Sequence, residues 1–224
     1  TYNTEEWMRE MEIAKKACDQ LNCTLVGSIS GNTLESWSDL AKRMEAIGLP
    51  MLELNFGCPH PKDLGYKSGQ ELGNSPEAAQ EVTKVVCEAV KVPVFVKLTS
   101  EAVNIVDVAK RCQSAGAAGF TVVNRFSALD VDLSNGRPLL HGGFAGVGGP
   151  WMRPITLKWI AKIALATGLP ISATNGIFSW EDVVKSIMCG ATTVQTCTSL
   201  MYGNKHLREV AEFLQGVENY LTGK

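Results

Sequence analysis

Residues 51–60 read MLELNFGCPH, and this stretch decides the reading of the fold. A mostly apolar run, Met51 to Phe56, meets an amide at Asn55, then a glycine at Gly57 and a thiol at Cys58. Short apolar, β-branched runs bounded by turn residues read as strands. Five more stretches share the form: TLVGSIS (24–30), VPVFVKL (92–98), GFTVVN (119–124), LPISAT (169–174) and TTVQTC (192–197). Between them apolar residues recur at helical spacing, as in Val82, Val85, Val86 and Ala89, or Ile105, Val108, Ala109 and Cys112. Ser75-Pro76-Glu77 and Ser179-Trp180-Glu181-Asp182 mark helix starts; Ala115-Gly116 and Cys189-Gly190 mark helix ends.

Strands read as apolar throughout, alternating with helices, predict an α/β fold with a parallel sheet covered by helices. An open doubly wound sheet and a closed barrel both satisfy that pattern. Polar groups decide between them, because they follow almost every strand: Asn55 to Cys58, Lys97, Asn124, Asn175-Gly176 and Cys197-Thr198. Chemistry spread over many strand ends is the habit of the TIM (β/α)8-type barrel, so that fold is predicted. Only six βα units are counted, where a closed barrel has eight. Two long loops stand out, at 60–75 and 126–153.

Composition narrows the rest. The chain has 224 residues, 45% hydrophobic and 20% charged, which excludes a disordered or fibrous chain and suits one domain over 1–224. Lys and Arg number 21 against 23 Asp and Glu, giving a net charge of −2. That balance predicts no nucleic-acid partner and no membrane surface. No stretch reaches the roughly 18 apolar residues of a spanning helix, and the polar start, from Thr1, does not resemble a signal peptide. Seven cysteines without a CxxC spacing predict reduced thiols, a cytoplasmic protein and no metal site.

Cys58, three residues after Asn55, puts a titratable group beside a hydrogen-bonding amide, as a general acid or base requires. A small buried hydrophobe is the alternative reading. Lys97 ends a buried type of strand, either extending into water or holding a fixed positive charge at a site. His141-Gly142-Gly143-Phe144-Ala145-Gly146, Asn175-Gly176-Ile177 and Cys197-Thr198-Ser199 read as turns or as one phosphate cradle built from backbone N–H groups. His60 and His206 read as loop and surface residues. Trp7, Trp37, Trp159 and Trp180 are read as packing residues on helices, and Cys18, Cys87, Cys112 and Cys189 as core.

LELNFGCPH, PVFVKLT, TVVN, HGGFAG, ATNGI and TVQTCTS follow one another in an order that resembles the dihydroorotate dehydrogenase / dihydropyrimidine dehydrogenase family. These are FMN-dependent TIM-barrel oxidoreductases of the CH–CH class. The match, over residues 24–200, looks closest to the dihydropyrimidine dehydrogenase branch, with its LNxSCPH and KLTP motifs. The resemblance implies that Cys58 moves a proton at one ring carbon while a hydride passes between flavin N5 and the neighbouring carbon. It implies that Asn55 and Asn124 hold the cyclic substrate and that Lys97 contacts the flavin. Gly142, Gly143, Asn175, Gly176, Cys197 and Thr198 fall where the family binds FMN. Arg125 stands where the family usually has Thr, which predicts an anionic substrate or a changed specificity.

The resemblance also implies an electron-transfer partner subunit, iron–sulfur or flavin, and a possible homodimer. It begins at what would be the family's third strand, so the chain is expected to lack the first two and to be N-terminally incomplete. Two other readings remain. A tRNA-dihydrouridine synthase also carries NxGCP, matching Asn55 to Pro59, but residues 122–126 show no HxR and there is no basic surplus. A non-redox phosphate-binding barrel would have no use for Asn55, Cys58 and Lys97 together.

Overall fold

The structure, a computed structural model of the chain, describes residues 3–58, 69–140, 143–198 and 206–223. In chain order it comprises α1 (Thr4–Gln20), β1 (Gly27–Ile29), α2 (Leu34–Ala46), β2 (Leu52–Asn55), α3 (Gly69–Gly73), α4 (Pro76–Ala89), β3 (Val94–Lys97), α5 (Ile105–Ser114) and β4 (Gly119–Val122). Next come β5 (Phe126–Ala128), β6 (Val131–Asp132), β7 (Arg137–Pro138) and β8 (Ala145–Val147). The chain continues through α6 (Arg153–Thr167), β9 (Ile171–Ala173), α7 (Trp180–Met188), β10 (Thr193–Val194) and α8 (His206–Thr222). Ser75 caps α4 with Pro76 in its first turn, and Ser179 with Asp182 forms a capping box on α7, as the sequence predicts.

All six predicted strands form, each shorter than its apolar run, in one parallel sheet ordered β1-β2-β3-β4-β9-β10. That order never reverses, whereas a doubly wound sheet reverses at its switch point. The outer face buries Ile29, Leu52, Leu54, Val94, Val96, Phe120, Val122, Ile171 and Ala173. Helices α4, α5, α6, α7 and α8 pack side by side in sequence, with α2 against α4. Trp37 of α2 is fully buried and meets Phe56 edge to face, ring centroids 5.7 Å apart.

The inner face corrects the expectation of strands apolar throughout. Ser28, Glu53, Lys97, Thr121 and Ser172 alternate with the outer residues along their strands. A hollow of about 600 Å³ is lined by Ser28 of β1 and Thr193 of β10 as well as Glu53, Phe95 and Ser172. Both sheet edges therefore look into one space, and the sheet is curled. Among the described residues β1 and β10 each pair with one neighbour, so the arc is a partial α/β barrel.

The predicted loop at 126–153 instead carries two antiparallel ribbons, β5 with β8 and β6 with β7. Of the other predicted loop, residues 60–68, with His60, lie outside the described residues, and Gly69–Gly73 is helical. Trp7, Trp37, Trp159 and Trp180 sit on helices as expected. Of the predicted core thiols only Cys112 is buried; Cys18, Cys87 and Cys189 are half-buried on helix flanks. Burial pushes Cys112 up to about 12 and Cys87 to about 11, so both stay protonated at neutral pH.

Candidate active site

The strands' C-terminal ends converge on a cavity of about 450 Å³. Asn55 and Lys97 end neighbouring strands in direct register. Asn124 lies two residues beyond β4 and Asn175 two residues beyond β9, while Cys197 and Thr198 follow β10. All of these residues, with Arg125 and Gly176, line the one cavity. Gln195 and Thr196 line it too.

The amides form a linked set. Asn124 Nδ2 donates to Asn55 Oδ1 at 2.9 Å, and the Gly57 N–H donates to the same oxygen at 3.2 Å. Asn124 Oδ1 accepts the Arg125 N–H at 2.9 Å. Asn55 Nδ2 has no partner among the described residues, which leaves a donor for a ligand. Such a set presents both donors and acceptors, which suits a cyclic diamide.

Cys58 is half-buried and is not in the cavity wall, but the backbone fixes it beside that wall. A Cβ on Gly57 would lie 2.5 Å from Asn124 Cβ, so only glycine lets this segment pass so close. The Cys58 carbonyl accepts the Gln70 N–H at 2.9 Å, and a Cβ on Gly73 would collide with the Phe56 carbonyl oxygen. Sequence reading missed the part that Gly69–Gly73 plays here.

The described part of the glycine wall begins at Gly146, the last residue of the expected cradle segment 141–146, and extends beyond it. Gly146, Gly148 and Gly149 line the cavity, while Gly143 does not; Gly142, His141 and Ser199 lie outside the described residues. The β5–β8 ribbon brings this segment back, setting Gly146 opposite Ser127. A Cβ on Gly148 would sit 2.8 Å from Asn175 Oδ1. Asn175 adopts φ +75°, the left-handed conformation that its side chain tolerates.

Asp182, read from sequence only as a helix-start residue, fastens two walls together. It is buried, accepts Arg153 Nη1 at 2.7 Å, and takes the N–H groups of Phe178 and Ser179 at 2.9 and 3.1 Å. Asp182→Asn removes the charge that Arg153 pairs with and is expected to cost about 2–3 kcal/mol, discounted because Arg153 is partly exposed. Urea unfolding measures this, and a cost below about 0.5 kcal/mol contradicts the role given to Asp182.

Electrostatically the cavity is one-sided. Lys97 and Arg125 line it, and no carboxylate does among the described residues. Glu53 lies beneath Lys97, its Oε1 3.6 Å from Nζ. A larger groove of about 590 Å³ between α7, β10 and α8 is apolar and, among the described residues, carries one acid, Glu218, and no cation. Anionic ligands are favoured at the strand ends.

The family model for dihydroorotate dehydrogenase matches residues 3–218. The chain belongs to the dihydroorotate dehydrogenase family. The resemblance read from the sequence thus holds, and the family is one of FMN-dependent oxidoreductases. The catalytic subunit of dihydroorotate dehydrogenase B (NAD(+)) from Anoxybacillus flavithermus is 37% identical over 181 residues, 80% of this chain and 57% of the relative. The corresponding subunit from Thermoplasma volcanium is 31% identical over 207 residues, 92% of this chain and 65% of the relative.

These matches do not single out the dihydropyrimidine dehydrogenase branch. A crystal structure of the Eimeria tenella dihydroorotate dehydrogenase in complex with ferulenol superposes with a TM-score of 0.76 at 19% identity. It covers 96% of this chain and 64% of that one, and supports the barrel fold. This dehydrogenase-family chain spans about 57% to 65% of the length of the curated relatives just described. Among the described residues no helix is long and apolar enough to cross a membrane.

Proposed function

We propose that this chain supplies the FMN site of an oxidoreductase acting on a ring CH–CH bond of dihydroorotate type. The observation that carries the reading is the cavity at the strand ends, which among the described residues is lined by two cations, Lys97 and Arg125, by no acid, and by the linked amides. FMN fits the donor set: Lys97 for the ring system, and the glycine-lined wall for the phosphate. A Cβ on Gly148 would intrude on Asn175 Oδ1, and one on Gly176 would lie 2.6 Å from the Arg153 nitrogen, so that wall is made of bare backbone.

When bound, FMN would supply the hydride-transfer chemistry. Lys97 provides fixed positive charge for a ring system that becomes negative on reduction. Asn55 and Asn124 orient the substrate through their remaining amide groups, and Arg125 pairs with a substrate carboxylate through its forked donors. In the oxidative direction Cys58 is the base that takes the proton from one ring carbon while the adjacent carbon gives up its hydride. Gly146, Gly148, Gly149, Gly176, Cys197 and Thr198 hold the phosphate end, with Gly143 and Asn175 shaping their loops.

The relatives are named catalytic subunits, which supports a partner subunit, iron–sulfur or flavin, that passes electrons onward. Anaerobic mixing of the FMN-loaded protein with dihydroorotate or dihydrouracil tests the reading. Bleaching of the flavin by dihydroorotate, and much less by dihydrouracil, is the expected result. Bleaching by neither overturns the activity; preference for dihydrouracil overturns the role of Arg125.

A further inference from the structure

We propose that Glu53 is a positioning residue that sets how much positive charge Lys97 presents to a bound flavin. This rests on the FMN reading above. Glu53 lies two residues before Asn55 on β2, so both point into the barrel. It is only 5% exposed, yet carries an acid. Its Oε1 accepts the Ser28 hydroxyl of β1 at 3.1 Å, and its Oε2 accepts the Thr121 hydroxyl of β4 at 2.7 Å. Lys97 on β3 completes the set, with Nζ 3.6 Å from Oε1. The carboxylate thus joins four adjacent strands beneath the cavity.

The two hydroxyls account for Glu53's place in the fold but not for its charge, since a glutamine keeps both contacts, its carbonyl oxygen accepting from one hydroxyl and its NH2 donating to the other. The charge acts on Lys97. At 3.6 Å the pair is an ion pair just beyond hydrogen-bond length, so attraction draws the ammonium downward without locking it. Lys97 also lines the cavity, and its side chain is 23% exposed against 7% for Glu53. A ligand above therefore meets an ammonium drawn back from it toward the carboxylate, and feels less of its charge. Reduction adds negative charge to the flavin, so Glu53 weakens Lys97's preference for the reduced form and lowers the potential.

The test compares midpoint potentials of the FMN-loaded protein by redox titration. Glu53→Gln is expected to bind reduced FMN about tenfold more tightly relative to oxidised FMN, an upward shift of about 30 mV for two electrons. In a Lys97→Met background the same substitution should shift the potential by less than half as much, because Glu53 acts through Lys97. No shift in the single variant, or a full shift without Lys97, overturns the proposal. If Glu53→Gln does not fold, Glu53→Asp replaces it; its shorter carboxylate draws back from Nζ and should give a smaller shift of the same sign, and no shift overturns the proposal. If the unaltered protein binds no FMN, the cofactor reading has failed, and the inference fails with it before any variant is compared.

Discussion

Cys58→Ala is expected to lower turnover by about 10²–10⁴-fold while leaving FMN bound. The backbone around Cys58 is held without its thiol: Gly57 packs on Asn124, and the Cys58 carbonyl accepts the Gln70 N–H. Removing Sγ should therefore delete the proton-transfer group and move little else. The rate of anaerobic flavin reduction by substrate measures the loss, and flavin fluorescence measures retention of the cofactor. Cys58→Ser should recover part of the rate, since a hydroxyl in the same place still exchanges a proton. Loss of FMN with an unchanged rate per bound flavin would assign Cys58 to packing instead.

Gly73→Ala should cost about 3 kcal/mol, the largest stability effect expected here. Its Cβ would collide with the Phe56 carbonyl oxygen and lie 2.9 Å from Thr99 Cγ2. The first neighbour is backbone of the segment that leads into Cys58, so relief must come from moving α3 or that segment. Gly136→Ala is the control. Its φ is +67° but nothing lies within 4 Å, so only the left-handed backbone penalises it, by about 1–2 kcal/mol. Urea denaturation of both variants separates crowding from backbone strain. Equal costs would show that Gly73 is not sterically required.

Much of this was legible in the sequence. The strands were visible because β1 to β4 and β9 bury their outer residues, such as Leu52 and Leu54, against helices, and Val194 of β10 is half-buried. The residues at their ends, Asn55, Lys97, Asn124 and Asn175, stood out as polar groups just where apolar runs stop. The ribbons β5–β8 and β6–β7 were not legible, since strands of two or three residues show no period. That hid which glycines reach the cavity, because Gly146 and Gly148 arrive there only through the pairing of β8 with β5. Asp182 was hidden behind its cap role. Glu53 was the missed signal, an acid between Leu52 and Leu54 in the mostly apolar run MLELNF, and it has a physical reason in Lys97 across the strand pair.

Titration of the purified protein with FMN tests the central claim most directly. The expected result is saturable quenching of flavin fluorescence at one FMN per chain, a raised melting temperature, and weaker binding of riboflavin, which lacks the phosphate. Unquenched fluorescence with an unmoved melting temperature would contradict the assignment of the strand-end cavity to FMN.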